Sequence, residues 1–89
     1  MNEIQVEGAD EALAYLEEIA REMVLLFPIT ISEARGRINR EFESRRFNTE
    51  LEVNVLLHEE QDVWAKHIYF GRDSCWWLGE EGLIPRPYP

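Results

Sequence analysis

A stripe of apolar residues that ends at a proline constrains the fold of this chain more than any other sequence feature. Between residues 13 and 27 apolar side chains recur at steps of three and four, which places them on one face of an α-helix. Asp10 is a good N-cap for this helix. Pro28 ends it, because the residue before a proline avoids helical backbone angles. The stripe consists of Leu13, Leu16, Ile19, Ala20, Met23, Val24 and Phe27.

A second helix is predicted to begin at a capping box, Thr30-Ile31-Ser32-Glu33. In such a box the threonine hydroxyl accepts from an amide of the first turn and the glutamate reaches back to the cap. Because only Pro28 and Ile29 separate the two helices, we expect them to pack as antiparallel neighbours. Gly36 costs about 1 kcal/mol relative to alanine inside a helix, which close packing against the first helix would explain. The apolar face comprises Ile31, Ala34, Ile38 and Phe42.

The second half of the chain gives weaker signals. Residues 51–57 alternate in a way that favours a short strand or extended segment. Residues 61–70 fit either a helix or, over Ile68-Tyr69-Phe70, a strand; we predict a third short helix that ends at Gly71. Residues 1–8 are expected to fray or to form a short strand at Ile4–Val6. The predicted fold is a single, mostly helical α+β domain over residues 1–89, with a Trp- and Pro-rich C-terminal tail packed over its core.

Charge is distributed unevenly along this acidic chain of 89 residues, whose net charge is −9. Residues 1–22 carry −6 and residues 50–62 carry −5, whereas residues 35–46 carry +3. Such a molecule should repel nucleic acid and anionic membranes. We expect a soluble, cytoplasmic protein for three reasons. The chain has a single cysteine, Cys75, it lacks a signal-peptide pattern, and its longest apolar run is only Met23–Phe27.

The last seventeen residues, DSCWWLGEEGLIPRPYP, are rich in turn formers, aromatic rings and prolines. The final Pro-Arg-Pro-Tyr-Pro stretch favours an extended polyproline II conformation. Trp76 and Trp77 are adjacent, so in an extended segment they point to opposite sides. One ring can cover the small core while the other faces a partner or lies in a groove, since exposed aromatic residues are enriched in interfaces.

Residues with metal-ligand or nucleophilic chemistry show no recognised spacing. His58 and His67 are nine residues apart, whereas a zincin helix needs histidines four apart. Cys75, His67 and Asp73 have the residue types of a nucleophilic triad but no supporting pattern. The five glycines are scattered and form no phosphate loop. We therefore expect no catalytic residue, no metal and no cofactor.

Three functional hypotheses follow from these patterns. The first is a non-catalytic protein-interaction module, such as an adaptor, inhibitor or immunity-type protein. Its partner would be an unidentified protein or a second copy of the chain. As a special case, the acidic blocks could mimic DNA phosphates toward a nuclease. The second is a small metal-binding protein or hydrolase that uses His58, Glu59, His67 and Cys75. The third is a nucleic-acid binder that uses the arginines between Arg37 and Arg46, although the net charge disfavours it. The predicted interaction surface comprises Trp76, Trp77, Tyr88, Arg37, Arg40, Arg45 and Arg46.

Overall fold

Four α-helices and one two-residue β-ladder make up residues 2–88, the part of the chain described by the computed structural model. Met1 and Pro89, the two ends of the predicted domain, lie outside the described residues. In chain order the elements are β1 (Glu7–Gly8), α1 (Asp10–Leu26), α2 (Ile31–Glu41), β2 (Arg46–Phe47), α3 (Glu50–Leu57) and α4 (Gln61–Phe70), followed by two 3-10 turns at Arg72–Ser74 and Trp76–Leu78. The predicted mostly helical α+β class is confirmed.

Helix α1 is the central element, and its apolar stripe forms the middle of the core. Leu16, Ile19 and Met23 are completely buried. Phe27 is extended, as expected before Pro28, and its amide donates to the carbonyl of Met23. The N-cap is Ala9 rather than the predicted Asp10. Asp10 instead lies in the first turn, where its negative charge suits the positive end of the helix.

Helix α2 begins as predicted, but only half of its capping box forms. The Thr30 hydroxyl accepts from the amide of Glu33 at 3.1 Å. The Glu33 carboxylate pairs with Arg37 one turn further along, with Nε and Oε2 2.9 Å apart. Its side chain therefore neutralises a buried guanidinium in place of capping the helix. The adjacent face of α2 packs Ala34 and Ile38 against α1 and the rest of the core.

Residues 50–57 form helix α3, so the predicted strand in this region is wrong. The reason is a complete capping box: Thr49 accepts from the amide of Glu52, and the Glu52 carboxylate accepts from the amide of Thr49. Val53 and Leu56, three residues apart, are buried, whereas Leu51 is 75% exposed and Val55 also faces solvent. The alternation of apolar residues thus does not describe two faces of a strand.

Helix α4 confirms the prediction of a third helix that ends at Gly71. Gly71 has φ of 96°, a left-handed backbone angle that glycine adopts without a steric cost. Within the helix, the buried indole of Trp64 donates from Nε1 to the carbonyl of Leu56 at 2.8 Å. This bond ties α4 to the last turn of α3 and supplies a partner for a helix-end carbonyl.

The N-terminal segment, which we expected either to fray or to form a short strand, is held on the body of the protein. The amide of Asn2 donates to the Ser32 hydroxyl at 3.1 Å, and the amide of Gln5 donates to Asn39 Oδ1 at 2.7 Å. The ladder lies one residue beyond the predicted strand at Ile4–Val6. It pairs β1 in parallel with β2.

Within residues 2–88, no helix has the length and apolar character needed to cross a membrane.

Replacing Thr49 with alanine tests the correction at α3. The Thr49→Ala variant should lose about 1 kcal/mol of unfolding free energy in urea titrations, because the helix loses its N-terminal cap. Ser44→Ala, an exposed position in the turn after α2, serves as the control and should stay within about 0.5 kcal/mol of wild type. A Thr49→Ala variant as stable as the Ser44→Ala control would contradict the capping box.

Candidate functional site

The two acidic blocks of the sequence meet around Tyr15 of α1. The Tyr15 hydroxyl donates to the backbone carbonyl of Glu59, just before α4. Burial, followed by the negative charges of Glu18, Glu60, Glu59 and Asp62, raises the pKa of Tyr15 above its usual 10.0. Carboxylates that are more than forty residues apart in the chain are thus neighbours in the fold.

A surface cleft of about 360 Å³ lies at this junction. We call it the acidic cleft; its lining residues are Tyr15, Glu22, Glu60, Gln61 and Asp62. Gln61 bridges the two sides, because its side-chain amide donates to the Glu18 carboxylate. The lining therefore combines one aromatic ring with three carboxylates and one amide.

The carboxylates around the acidic cleft have no cationic partner among residues 2–88. The four ion pairs within this range all lie elsewhere: Arg35 with Glu17, Arg37 with Glu33, Lys66 with Glu80, and Arg86 with Glu41. None of the cleft carboxylates therefore forms an ion pair with a cationic side chain of the described residues. A complementary cation from another molecule would gain from this field.

The arginine stripe predicted as part of an interaction surface is divided by the fold. Arg37 is only 5% exposed and donates from Nη1 to the carbonyl of Arg86 at 2.8 Å. Arg40 donates from Nη1 to the carbonyl of Pro87 at 2.6 Å. Both guanidiniums therefore bind the protein's own tail. Arg45 and Arg46 are exposed, and Arg45 also lies 5.1 Å over the ring of Phe47.

The side chain of Tyr88 packs against helix α2. Its ring centroid lies 5.4 Å from the guanidinium carbon of Arg37 and 5.5 Å from that of Arg40. A Cβ at Gly36 would stand 1.7 Å from the Tyr88 hydroxyl oxygen and 2.6 Å from Nδ2 of Asn2. The missing side chain of Gly36 thus makes room for Tyr88 and Asn2, and not for α1 as we predicted. The prediction that the tail packs over the helices applies to this segment.

The adjacent tryptophans have different environments. Trp76 is half-buried and donates from Nε1 to Nδ1 of His67 at 3.2 Å, while Lys66 lies 5.1 Å over its ring. Trp77 is 55% exposed. Trp76–Leu78 form a 3-10 turn in place of the extended segment that we expected, yet one ring is half-buried and the other is exposed. The use of Trp77 to bind a partner stays a prediction.

The residues of the enzyme and metal hypotheses are dispersed. Between Asn2 and Tyr88 no three His, Cys, Asp or Glu side chains are placed to hold a metal ion. The Nδ1 atom of His67 is occupied by Trp76. Burial, followed by the positive charge of Arg72, lowers the pKa of His67 below its usual 6.5, against the opposite effect of Glu59 and Glu41. Cys75 is exposed at a left-handed backbone position with φ of 54°.

Comparison with known proteins gives no relative from which a role could be transferred: no protein-family model, curated protein or solved structure matches this chain significantly. The site must therefore be interpreted from its own geometry.

Sequence reasoning missed Tyr15 and the acidic cleft. The two acidic blocks were visible, but their meeting depends on how α4 returns along α1. The signal that could have found the cleft is Tyr15 itself, which lies within the acidic block of α1 and one position before the buried Leu16.

The contact between His67 and Trp76 predicts a pH dependence of stability. Because the pKa of His67 is lower in the folded chain, the unfolded chain takes up the proton first as pH falls below about 6.5. Unfolding free energy should therefore decrease from about pH 7.5 to about pH 5, and protonation of Nδ1 would also remove the acceptor for Trp76.

Urea unfolding followed by far-UV circular dichroism at both pH values checks this expectation. His67→Gln should show a smaller loss between the two pH values than wild type. His58→Gln, which alters the exposed histidine, should keep the wild-type difference. Equal pH dependence in wild type and His67→Gln would contradict the assignment to His67.

Proposed function

We propose that this protein is a non-catalytic interaction module that binds a basic surface of a protein partner through the acidic cleft. The observation that supports this proposal is the convergence of carboxylates from two distant blocks on one cleft, with no cationic side chain of residues 2–88 paired to them. An adaptor, inhibitor or immunity-type protein uses a surface of this kind.

The chemistry of the cleft favours a lysine or arginine of the partner. Carboxylates of the lining accept hydrogen bonds from a guanidinium or ammonium group, and charge-assisted bonds of this type are the strong ones. The Tyr15 ring adds a surface over which a cation is attracted. The Tyr15 hydroxyl is already bound to the Glu59 carbonyl, which fixes the ring in place before a partner arrives.

A cluster of negative charges also supports a more specific form of this proposal, in which the partner is a protein whose own ligand is anionic. Complementary charge accelerates encounter and selects against acidic partners, while the final affinity depends on the contacts that exclude water. An inhibitor that occupies a phosphate-binding surface, as a nuclease has, would use the cleft in this way. Trp77 is the predicted apolar contact outside the cleft.

The other two hypotheses receive less support from the geometry. A nucleic-acid binder would have to rely on Arg45 and Arg46, since Arg37 and Arg40 bind the tail. A metal protein would need ligands that converge, and the described residues contain no such group.

Two variants of identical net charge test the acidic cleft. Glu18→Gln with Glu60→Gln removes one charge from the cleft lining and one beside it, and Glu43→Gln with Glu81→Gln removes two exposed charges elsewhere. A partner captured from host lysate by the wild-type protein is purified and its affinity for each variant measured by calorimetry. We expect the cleft variant to lose about tenfold or more in affinity and the control to stay within about twofold.

The same experiment at two salt concentrations adds a second criterion. The wild-type complex should weaken as salt rises, and the cleft variant should show a shallower dependence, because fewer charges are screened. If no captured protein distinguishes the cleft variant from its control, the proposal is wrong.

A further inference from the structure

The C-terminal segment of the chain lies in a groove that recognises it as an extended peptide. We call this the tail groove and define it by Gly36, Arg37 and Arg40 of α2 and Tyr69 of α4. The backbone amide of Arg86 donates to the carbonyl of Tyr69 at 2.9 Å. Arg37 and Arg40 donate to the two following carbonyls of the segment. Three successive polar contacts to backbone fix the register of the segment.

The tail groove also contains a place for one aromatic ring. The Tyr88 ring lies below the guanidiniums of Arg37 and Arg40, and its hydroxyl accepts from Nδ2 of Asn2 at 3.0 Å. The hydroxyl occupies the space left by the missing side chain of Gly36. A residue with a Cβ at position 36 would force the end of the Tyr88 side chain to shift, so this position shapes the site that the ring occupies.

Little apolar burial holds the segment in the groove. Ile84 is 83% exposed, and Arg86 and Pro87 also face solvent. The connection to the rest of the chain contains Gly79 and Gly82, whose φ angles are 142° and 82° and around which an added Cβ would meet no atom within 4 Å. Segments with few buried contacts open locally at low free-energy cost. The connection therefore has the properties of a hinge.

We propose that the tail groove binds the tail of a second copy of this chain, in exchange for its own. Every contact between groove and tail joins two residues of the same sequence, so a swapped pair keeps all of them. A short linker gives the chain's own tail an effective concentration on the order of millimolar, which keeps dilute protein closed and monomeric. Binding between copies becomes detectable when one copy has a tail that cannot bind and the other has a groove that cannot bind. Neither copy can then close on itself, and the intact tail of one can enter the intact groove of the other.

Complementation between two full-length variants tests this exchange. The acceptor carries Arg86→Pro and Tyr88→Ala, which remove the tail amide and ring and leave the groove intact. The donor carries Gly36→Ala, whose Cβ displaces the Tyr88 ring from its place in the groove and leaves the tail sequence intact; alanine also favours the helix. ¹⁵N-labelled acceptor is titrated with unlabelled donor, and the amides of Gly36, Arg37 and Arg40 are followed by NMR.

Saturable shifts of these amides are the expected result, with a Kd on the order of 0.1 mM or below, because a tail at a millimolar effective concentration stays bound only if its Kd is well under that value. The control partner combines Gly36→Ala with Arg86→Pro and Tyr88→Ala, and it should cause no shift. A synthetic peptide of residues 83–89 provides a second donor that needs no folding, and Tyr88→Ala alone provides a second acceptor. Absence of shifts with folded acceptor and both donors, or equal shifts with the control partner, would overturn the proposal.

Discussion

The buried guanidinium of Arg37 is the interaction on which the arrangement of α2, α4 and the tail depends. A charge removed from water is costly unless it is paired and hydrogen-bonded. Here Glu33 supplies the counter-charge and the Arg86 carbonyl accepts from Nη1. The ring of Tyr69 lies 5.0 Å from the guanidinium carbon, and Phe27 stacks on that ring with centroids 3.7 Å apart. The guanidinium of Arg37 therefore packs on the outer end of an aromatic stack that begins with Phe27 in the core.

The acidic cleft depends on the same core through a different route. Its carboxylates come from α1 and from the segment that leads into α4, so their spacing is set by how those helices pack. Trp64 contributes to this packing, because its indole binds the last turn of α3 and its ring meets Phe42 at a centroid distance of 5.4 Å. The negative charges gain no stability from one another, and the apolar contacts beneath them keep them together.

The parts of the fold that the sequence predicted well are those with local causes. The stripe of α1, the stop at Pro28, the Thr30 cap and the Gly71 terminus each act within a few residues. The structure agrees with each of them except at Val24, a stripe residue that is 38% exposed. Helix α3 was missed even though Thr49 and Glu52 have the spacing of a capping box, because the alternation of Leu51, Val53 and Val55 was given more weight.

The candidate sites were predicted less well, since their causes are long-range. Arg37 was expected on an exposed surface, yet its partner carbonyl belongs to a residue 49 positions later. The role of Gly36 depends on Tyr88, at the other end of the chain. Composition showed that two acidic blocks exist, but only the three-dimensional packing brings them to one cleft around Tyr15. Local patterns carry no information about such pairings.

The position of His67 has a consequence for how this protein would be observed. Its ring centroid lies 6.2 Å from that of Trp64, 5.5 Å from that of Trp76 and 6.3 Å from that of Trp77. All three indoles of the chain therefore emit beside one imidazole, and an imidazolium quenches the excited state of a nearby indole. Because the pKa of His67 is lowered in the folded protein, intrinsic fluorescence would dim only as pH falls below about 6.5, and the emission would report the protonation of this side chain.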